Sequence, residues 1–173
     1  MEADVDREHA PGTRSGTVGA DIERLYRDQG MRLWRALVLT TASPDVADDA
    51  VAEAFAQALR RGEQLRNPAA WVWRAAFKIA AGEMKERGRV IPLDVGVEVA
   101  AVVPDVSPER LMDLVRALAR LTYRQRVAVV LADYAGWSHR QIAGVLGASV
   151  ATVGVHVHRA RGRLRELLED HDG

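Results

Sequence analysis

GWSHRQIAGVLGASVATVGVHVHRARGRLRELL, residues 136–168, decides how the rest of the chain is read. Ser138 is placed to cap a helix, its hydroxyl accepting from an orphan amide of the first turn. Ile142, Ala143 and Leu146 then recur on one face at helical spacing. Gly147 stands where a left-handed residue ends a helix at little cost. Ser149 is placed to cap the next helix. In that helix Val153, Val157, Ala160, Leu164 and Leu168 advance by four, three, four and four, which holds them in one narrow stripe. Thr152, Val155, Arg159 and Arg163 fall opposite. Arg159, Arg161, Arg163 and Arg165 come within seven residues with no acid among them. The pattern is that of a helix-turn-helix, whose second helix enters the DNA major groove. Amphipathic helix pairs with a glycine turn also occur in proteins that never touch DNA, so this stretch alone leaves both readings open.

The chain has 173 residues, 48% of them hydrophobic, which suits one ordinary domain or two small ones. Its formal charge is zero, so any nucleic-acid surface must be local. Lys78 and Lys85 are the only lysines; the other basic residues are arginine, suited to phosphate and guanine but also favoured by GC-rich coding. With no cysteine there is no disulfide framework and no thiolate metal site. No apolar run reaches the length of a membrane span, and the N-terminus lacks the apolar core of a signal peptide. A cytoplasmic protein without membrane insertion is expected.

Composition divides the chain. Residues 1–19 are polar, rich in Gly, Pro and Ser, and are expected to form a disordered tail. A helix begins at Ala20, with Ile22, Leu25 and Tyr26 on its apolar stripe; Gly30 interrupts it, and Met31, Leu33, Trp34 and Leu37 continue it as a second helix or a kinked extension. Ser43-Pro44-Asp45 is a helix start with proline at the first position. In that helix Ala47, Val51, Ala54, Phe55 and Ala58 make the buried face, and Asp49, Glu53 and Arg60 lie opposite. Such acids are either a solvated face or a docking patch for a basic partner. A loop over 62–70 leads through Asn67-Pro68 into a helix carrying Trp71, Trp73, Phe77 and Ile79. These aromatics are core residues, or in part stacking platforms for exposed bases, worth ~1–3 kcal/mol each. Residues 89–106 carry no helical stripe and are read as a linker, partly extended, which argues for two helical domains, 20–88 and 107–169, with a short tail at 170–173. Ser107-Pro108 opens the second domain, where Leu111, Leu114, Val115, Leu118 and Leu121 form a stripe. Thr122 caps a further helix with Val127, Val129, Val130 and Leu131 facing inward. The expected fold class is all-α.

Two stretches resemble a known family, in its order and at its spacing. DVADDAVAEAFAQAL (Asp45–Leu59), followed by AAWVWRAAFKIA (Ala69–Ala80), is similar to region 2 of the extracytoplasmic-function (ECF) group of sigma factors in the sigma-70 family. The span from Ser107 to Leu167 is similar to almost all of region 4, including Leu121-Thr-x-x-Gln125-Arg126, Gly136-x-Ser138-x-x-x-Ile142-Ala143 and His158-Arg-Ala-Arg161. The resemblance implies a subunit that binds core RNA polymerase and directs initiation at −10 and −35 elements, helping to open the −10 region. Asp49, Glu53 and Arg60 would meet the β′ clamp helices, and region 4 would sit on the β flap. Leu65, Arg66 and Asn67 would capture a base extruded from the non-template strand, at a few kcal/mol of unstacking. Trp71, Trp73, Arg74 and Lys78 would meet the strands at the melted edge. Thr152, Val155, His156 and Arg159 would face −35 base edges, while Arg140, Arg161, Arg163 and Arg165 would contact phosphates, which position without specifying. An anti-sigma factor is a further partner the family implies.

The chain departs from the family where Gly154, Val155 and His156 replace a basic or small polar run. Gly154 weakens a helix by ~1 kcal/mol relative to Ala, and Val155 offers only apolar contact to a thymine methyl. A weak or unusual −35 preference is expected. Lys78 replaces a common Asn, and Gly82, Glu83 and Glu86 dilute a basic end. Two rivals remain: a stand-alone helix-turn-helix regulator, which would not need Asp45–Leu59, and a polymerase-binding protein with weakened promoter recognition. An enzyme is not expected, nor a cofactor. His156 and His158, two apart on a helix, diverge and cannot share a metal, and His9, His139 and His171 read as solvated.

Overall fold

The computed structural model describes residues 13–87 and 106–169. All regular structure among them is helical: α1 (Thr13–Thr41), α2 (Pro44–Arg61), a 3-10 turn (Gly62–Gln64), α3 (Pro68–Arg87), α4 (Pro108–Ala119), α5 (Tyr123–Val129), a π-helical turn (Val130–Tyr134), α6 (His139–Leu146) and α7 (Val150–Glu169). The expected linker, residues 89–106, lies outside the described residues except for Val106, as do 1–12 and 170–173.

Local chemistry sets most boundaries. Ser43 accepts from the Val46 amide ahead of Pro44, and Ser107 accepts from the Arg110 amide ahead of Pro108. Thr122 with Gln125, and Ser138 with Gln141, form reciprocal capping boxes. Two expectations need correction. Residues 13–19, assigned to a disordered tail, are the first turns of α1. Gly30 does not end the helix, so no separate second helix forms: α1 is continuous through it, and the Tyr26 ring packs 3.2 Å from where a Cβ would stand.

α1, α2 and α3 form the first bundle, with α2 against both partners. Its core joins Leu33, Leu37 and Val38 of α1 to Phe55 of α2 and Val72 and Phe77 of α3. Ala47, Ala50, Ala54 and Ala58 line the buried side of α2, and such small residues let helices approach closely. In the second bundle α5 and α7 make the main contact, burying Leu111, Val127, Leu131, Ile142, Val153 and Val157. One continuous buried cluster joins the two bundles. Its seam places the C-terminal half of α1 and the outer side of α3 against α4, α5, the π-helical turn and α6.

Candidate nucleic-acid and polymerase interfaces

Gly147 takes φ 57°, ψ 41°, and its amide and that of Ala148 both return to the Ala143 carbonyl. Ser149 accepts from the Thr152 amide at 3.1 Å and starts α7. The two helices meet at 99°, within the range of helix-turn-helix units. The apolar stripe of α7 points inward as expected: Val153, Val157 and Ala160 are buried, and Leu164 and Leu168 half-buried.

The outward side of α7 carries the residues expected at the −35 element. Thr152, Val155, Arg159, Arg163 and Arg165 are exposed, as is Arg140 near the start of α6. They are not equivalent. Arg161 makes a bidentate pair with Asp133 of the π-helical turn, Nε to Oδ2 at 3.1 Å, and Arg163 pairs with Glu166 at 3.0 Å. The Thr152 hydroxyl shares a 2.8 Å hydrogen bond with Ser149. His156 is half-buried, and its Nδ1 is enclosed without a hydrogen-bond partner. One edge of its ring therefore faces the protein. Gly154 lies under His139, whose Nδ1 would be 3.7 Å from an added Cβ.

On α3 and the loop before it, the residues expected at the −10 element separate into three roles. Asn67 caps α3, its Oδ1 accepting from the Ala70 amide at 3.0 Å, and Leu65 is half-buried while Arg66 is exposed. Arg74 and Lys78 are exposed one turn apart. With half-buried Trp71 they border a groove of about 670 Å³ that Gln57, Arg61 and Ile79 complete. Arg61 was not expected here. Its guanidinium lies 5.1 Å from the Trp71 ring centroid, a cation–π contact that presents a charge beside an aromatic face. Its place in the last turn of α2 gave no periodic signal. Trp73 departs from expectation: it is 3% exposed, donates from Nε1 to Gln29 at 2.9 Å, stacks on Phe77 and lies tilted against Trp137. Its indole is closed to DNA in this arrangement because α6 and the segment before it cover that side of α3.

The acids of α2 lie where expected. Asp49, Glu53 and Arg60 are all exposed on the outer face. Arg60 and Gln57 both donate to Glu53 Oε1 at 2.8 Å. The Gln57 hydrogen bond, and then the Arg60 pair, hold the Glu53 carboxyl below its ordinary range. Beside them, large apolar side chains stand open: Tyr26 is 54% exposed, Met31 53% and Leu59 50%. A hollow of about 460 Å³ between Tyr26, Met31, Trp34, Asp48 and Val51 adjoins the acids. Acids around an apolar patch have the anatomy of a protein interface. Sequence reading assigned Met31 and Trp34 to the core stripe and missed this edge of it.

Comparison with known proteins assigns both modules together. Residues 111–164 match the family model "Sigma-70, region 4". The chain is 31% identical over 178 residues to the ECF RNA polymerase sigma factor SigM of Mycobacterium tuberculosis, covering 96% of this chain and 84% of the relative. It is 33% identical over 141 residues to the RNA polymerase sigma-H factor of Pseudomonas aeruginosa, covering 71% and 73%. Among solved structures, one of the sigma factor RpoE with the anti-sigma factor NepR from Bartonella quintana has a chain that superposes with a TM-score of 0.66 at 24% identity, covering 85% of this chain and 98% of that one. One of CnrH with the cytosolic domain of CnrY does so at 0.64 and 24%, covering 90% and 95%. These two likenesses establish the two-module helical fold. The SigM match runs through the acidic helix as well as the helix-turn-helix, which a stand-alone regulator would not require, and the chain belongs to the ECF family of RNA polymerase sigma factors.

Proposed function

We propose that this chain binds core RNA polymerase in the cytoplasm and directs initiation at promoters through −10 and −35 contacts, helping to open the −10 region. The observation that carries the reading is the presence on one chain of three separate surfaces. The first is the acid-bearing, partly apolar face of α2. The second is the basic groove beside Trp71. The third is the exposed side of α7.

Asp49 and Glu53 would meet the β′ clamp helices, with Tyr26, Met31 and Leu59 supplying desolvated contact area. The second bundle would rest on the β flap. An extruded −10 base would enter near Leu65 and Arg66, while Arg61, Trp71, Arg74 and Lys78 would hold the adjoining single strand by stacking and charge. Arg159 and Val155 would reach base edges at −35, with Thr152 and one edge of His156 beside them. Arg140 and Arg165 would hold phosphates, joined by Arg163 once it exchanges Glu166, while Arg161 stays clamped by Asp133. An anti-sigma factor is a further expected partner, as the two structural relatives were solved with proteins of that kind or with a cytosolic partner domain.

The test is in vitro transcription with core polymerase and the purified chain on genomic fragments, with start sites mapped. Discrete starts that depend on the chain support the reading; their absence overturns it. Asp49→Arg with Glu53→Arg should abolish co-purification with core while helicity stays unchanged.

A further inference from the structure

Several cations of this chain are engaged by acids: Arg24 by Asp21, Arg60 by Glu53, Arg161 by Asp133. Three others are placed differently. Arg32 of α1, Arg74 of α3 and Arg140 of α6 reach one groove of about 500 Å³, and no carboxylate lines it. Among the described residues none of the three has an acidic partner. Arg32 is held by donating to the Ala135 carbonyl at 2.8 Å. A guanidinium carries five N–H donors, so that bond leaves most of them for a ligand.

Three side-chain amides border the same groove, and each is oriented by a bond to its oxygen. Gln29 Oε1 accepts from the Trp73 indole at 2.9 Å, Asn67 Oδ1 from the Ala70 amide at 3.0 Å, and Gln141 Oε1 from the Ser138 amide at 2.8 Å. With the oxygens engaged, what each amide has left is an NH2 group, which only donates. Ala69 and Ala70 also line the groove. They stand in the first turn of α3, a helix of 20 residues. Orphan amides and the positive end of the dipole favour an anion there.

Guanidiniums and N–H donors without an acid are the chemistry of a phosphate site. The groove has the size of ligand pockets, ~300–1,000 Å³. One phosphate monoester brings a charge of only about −2, fewer than the three cations match. We propose that this groove binds a small molecule carrying two or more phosphate groups, held between Arg32, Arg74 and Arg140. A short inorganic polyphosphate and a nucleoside polyphosphate share that chemistry. Trp137, a half-buried lining residue, would give a base an aromatic neighbour. Asn67, Arg74 and Arg140 are also proposed above to meet promoter DNA, so the occupant competes with DNA for them. That consequence rests on the function proposed above; the binding itself does not.

Isothermal titration calorimetry on the full chain, without polymerase or magnesium, tests the site with tripolyphosphate, ATP and adenosine. Tripolyphosphate and ATP should each bind once per chain, and adenosine should not bind. Arg74→Ala/Arg140→Ala removes two exposed side chains and should weaken both by about tenfold or more at unchanged circular dichroism. Gln141→Glu keeps the capping box of α6, which accepts Glu as it does Gln, but replaces the NH2 donor with a carboxylate oxygen. It should weaken both as well. Arg110→Ala/Arg165→Ala removes two exposed guanidiniums outside the groove and should change affinity by less than about twofold. ATP binding about tenfold tighter than tripolyphosphate supports the site and assigns it to a nucleotide; equal affinities support it and assign it to phosphate groups alone. Adenosine binding as well as ATP overturns the anion site. No saturable binding of either phosphate compound overturns it too. An equal loss in the Arg110/Arg165 variant would reduce the effect to diffuse attraction and also overturn it. Failure of the sigma-factor reading would appear separately, as absent start sites with core polymerase, which the titration does not contain.

Discussion

Arg159 and Arg161 stand two residues apart in α7 and face different partners. Arg159 is exposed and points away from the core, whereas Arg161 is clamped by Asp133. A guanidinium that reads a base is worth ~1–3 kcal/mol of discrimination, so Arg159→Ala should lower transcription from −35-dependent promoters about tenfold or more and relax sequence preference there. Unaltered start-site strength would show that α7 is set differently in the groove. Arg161 predicts another quantity. Freeing it by Asp133→Asn should add one phosphate contact, steepening the log–log salt dependence of duplex binding by about one unit. The same slope in both proteins would mean that Arg161 already exchanges Asp133 for phosphate. Gly154 gives a third outcome. Its Cβ position is 3.7 Å from the His139 ring, ordinary contact distance. Gly154→Ala should therefore stabilise the chain by up to about 1 kcal/mol through helix propensity, seen as a higher urea midpoint at constant m-value.

At the scale of elements, what could be read in advance was what local chemistry decides. Ser43, Ser107, Thr122 and Ser138 each accept from an amide three residues on, so caps and helix starts were visible in short strings. Gly147 was legible for the same reason, and because no atom lies within 4 Å of an added Cβ, Gly147→Ala tests backbone strain alone. It should cost about 1–2 kcal/mol in urea unfolding. The aromatic helix was legible only in part. Trp71 and Trp73 are alike in sequence, and their fates separate because Trp137, 64 residues beyond Trp73, covers one of them. No local pattern encodes that contact. The α2 face lies between these cases: spacing put Asp49, Glu53 and Arg60 together, but the Gln57 bond to Glu53 appears only with rotamers in place. Because the folded carboxyl is depressed, the contribution of these bonds is full above the ordinary glutamate range and is lost as pH falls through the lowered value. Glu53 is exposed, so its effect on stability is screened and the site itself is the place to look. Its carboxyl carbon should titrate below an ordinary glutamate by NMR, and Gln57→Ala should move the midpoint up. An unmoved midpoint would assign the depression to Arg60 alone.

On the scale of the whole molecule the two bundles have to act at a distance, and the chain between them sets what distance is possible. Residues 88–105 number eighteen, a contour of ~60 Å when fully extended. The zero net charge of the whole chain conceals a second bundle (107–169) with ten basic and five acidic residues, so long-range attraction helps that bundle and does least for the nearly balanced first one. Tethering must supply the second contact after the first is made, as an effective concentration. That quantity responds asymmetrically to length. Lengthening a tether that already spans its sites dilutes the second module only by roughly the 3/2 power of length, whereas shortening it below the span removes the second contact altogether. Inserting ten Gly and Ser residues between residues 95 and 96 should therefore lower run-off transcription by about twofold. Deleting residues 91–100 leaves a reach of ~27 Å and should reduce transcription to background, although the helices of both bundles remain intact by circular dichroism. The comparison of the two variants carries the argument. Equal and severe loss in both would mean that the segment itself makes contacts which either change destroys, and its role as a spacer would have to be given up.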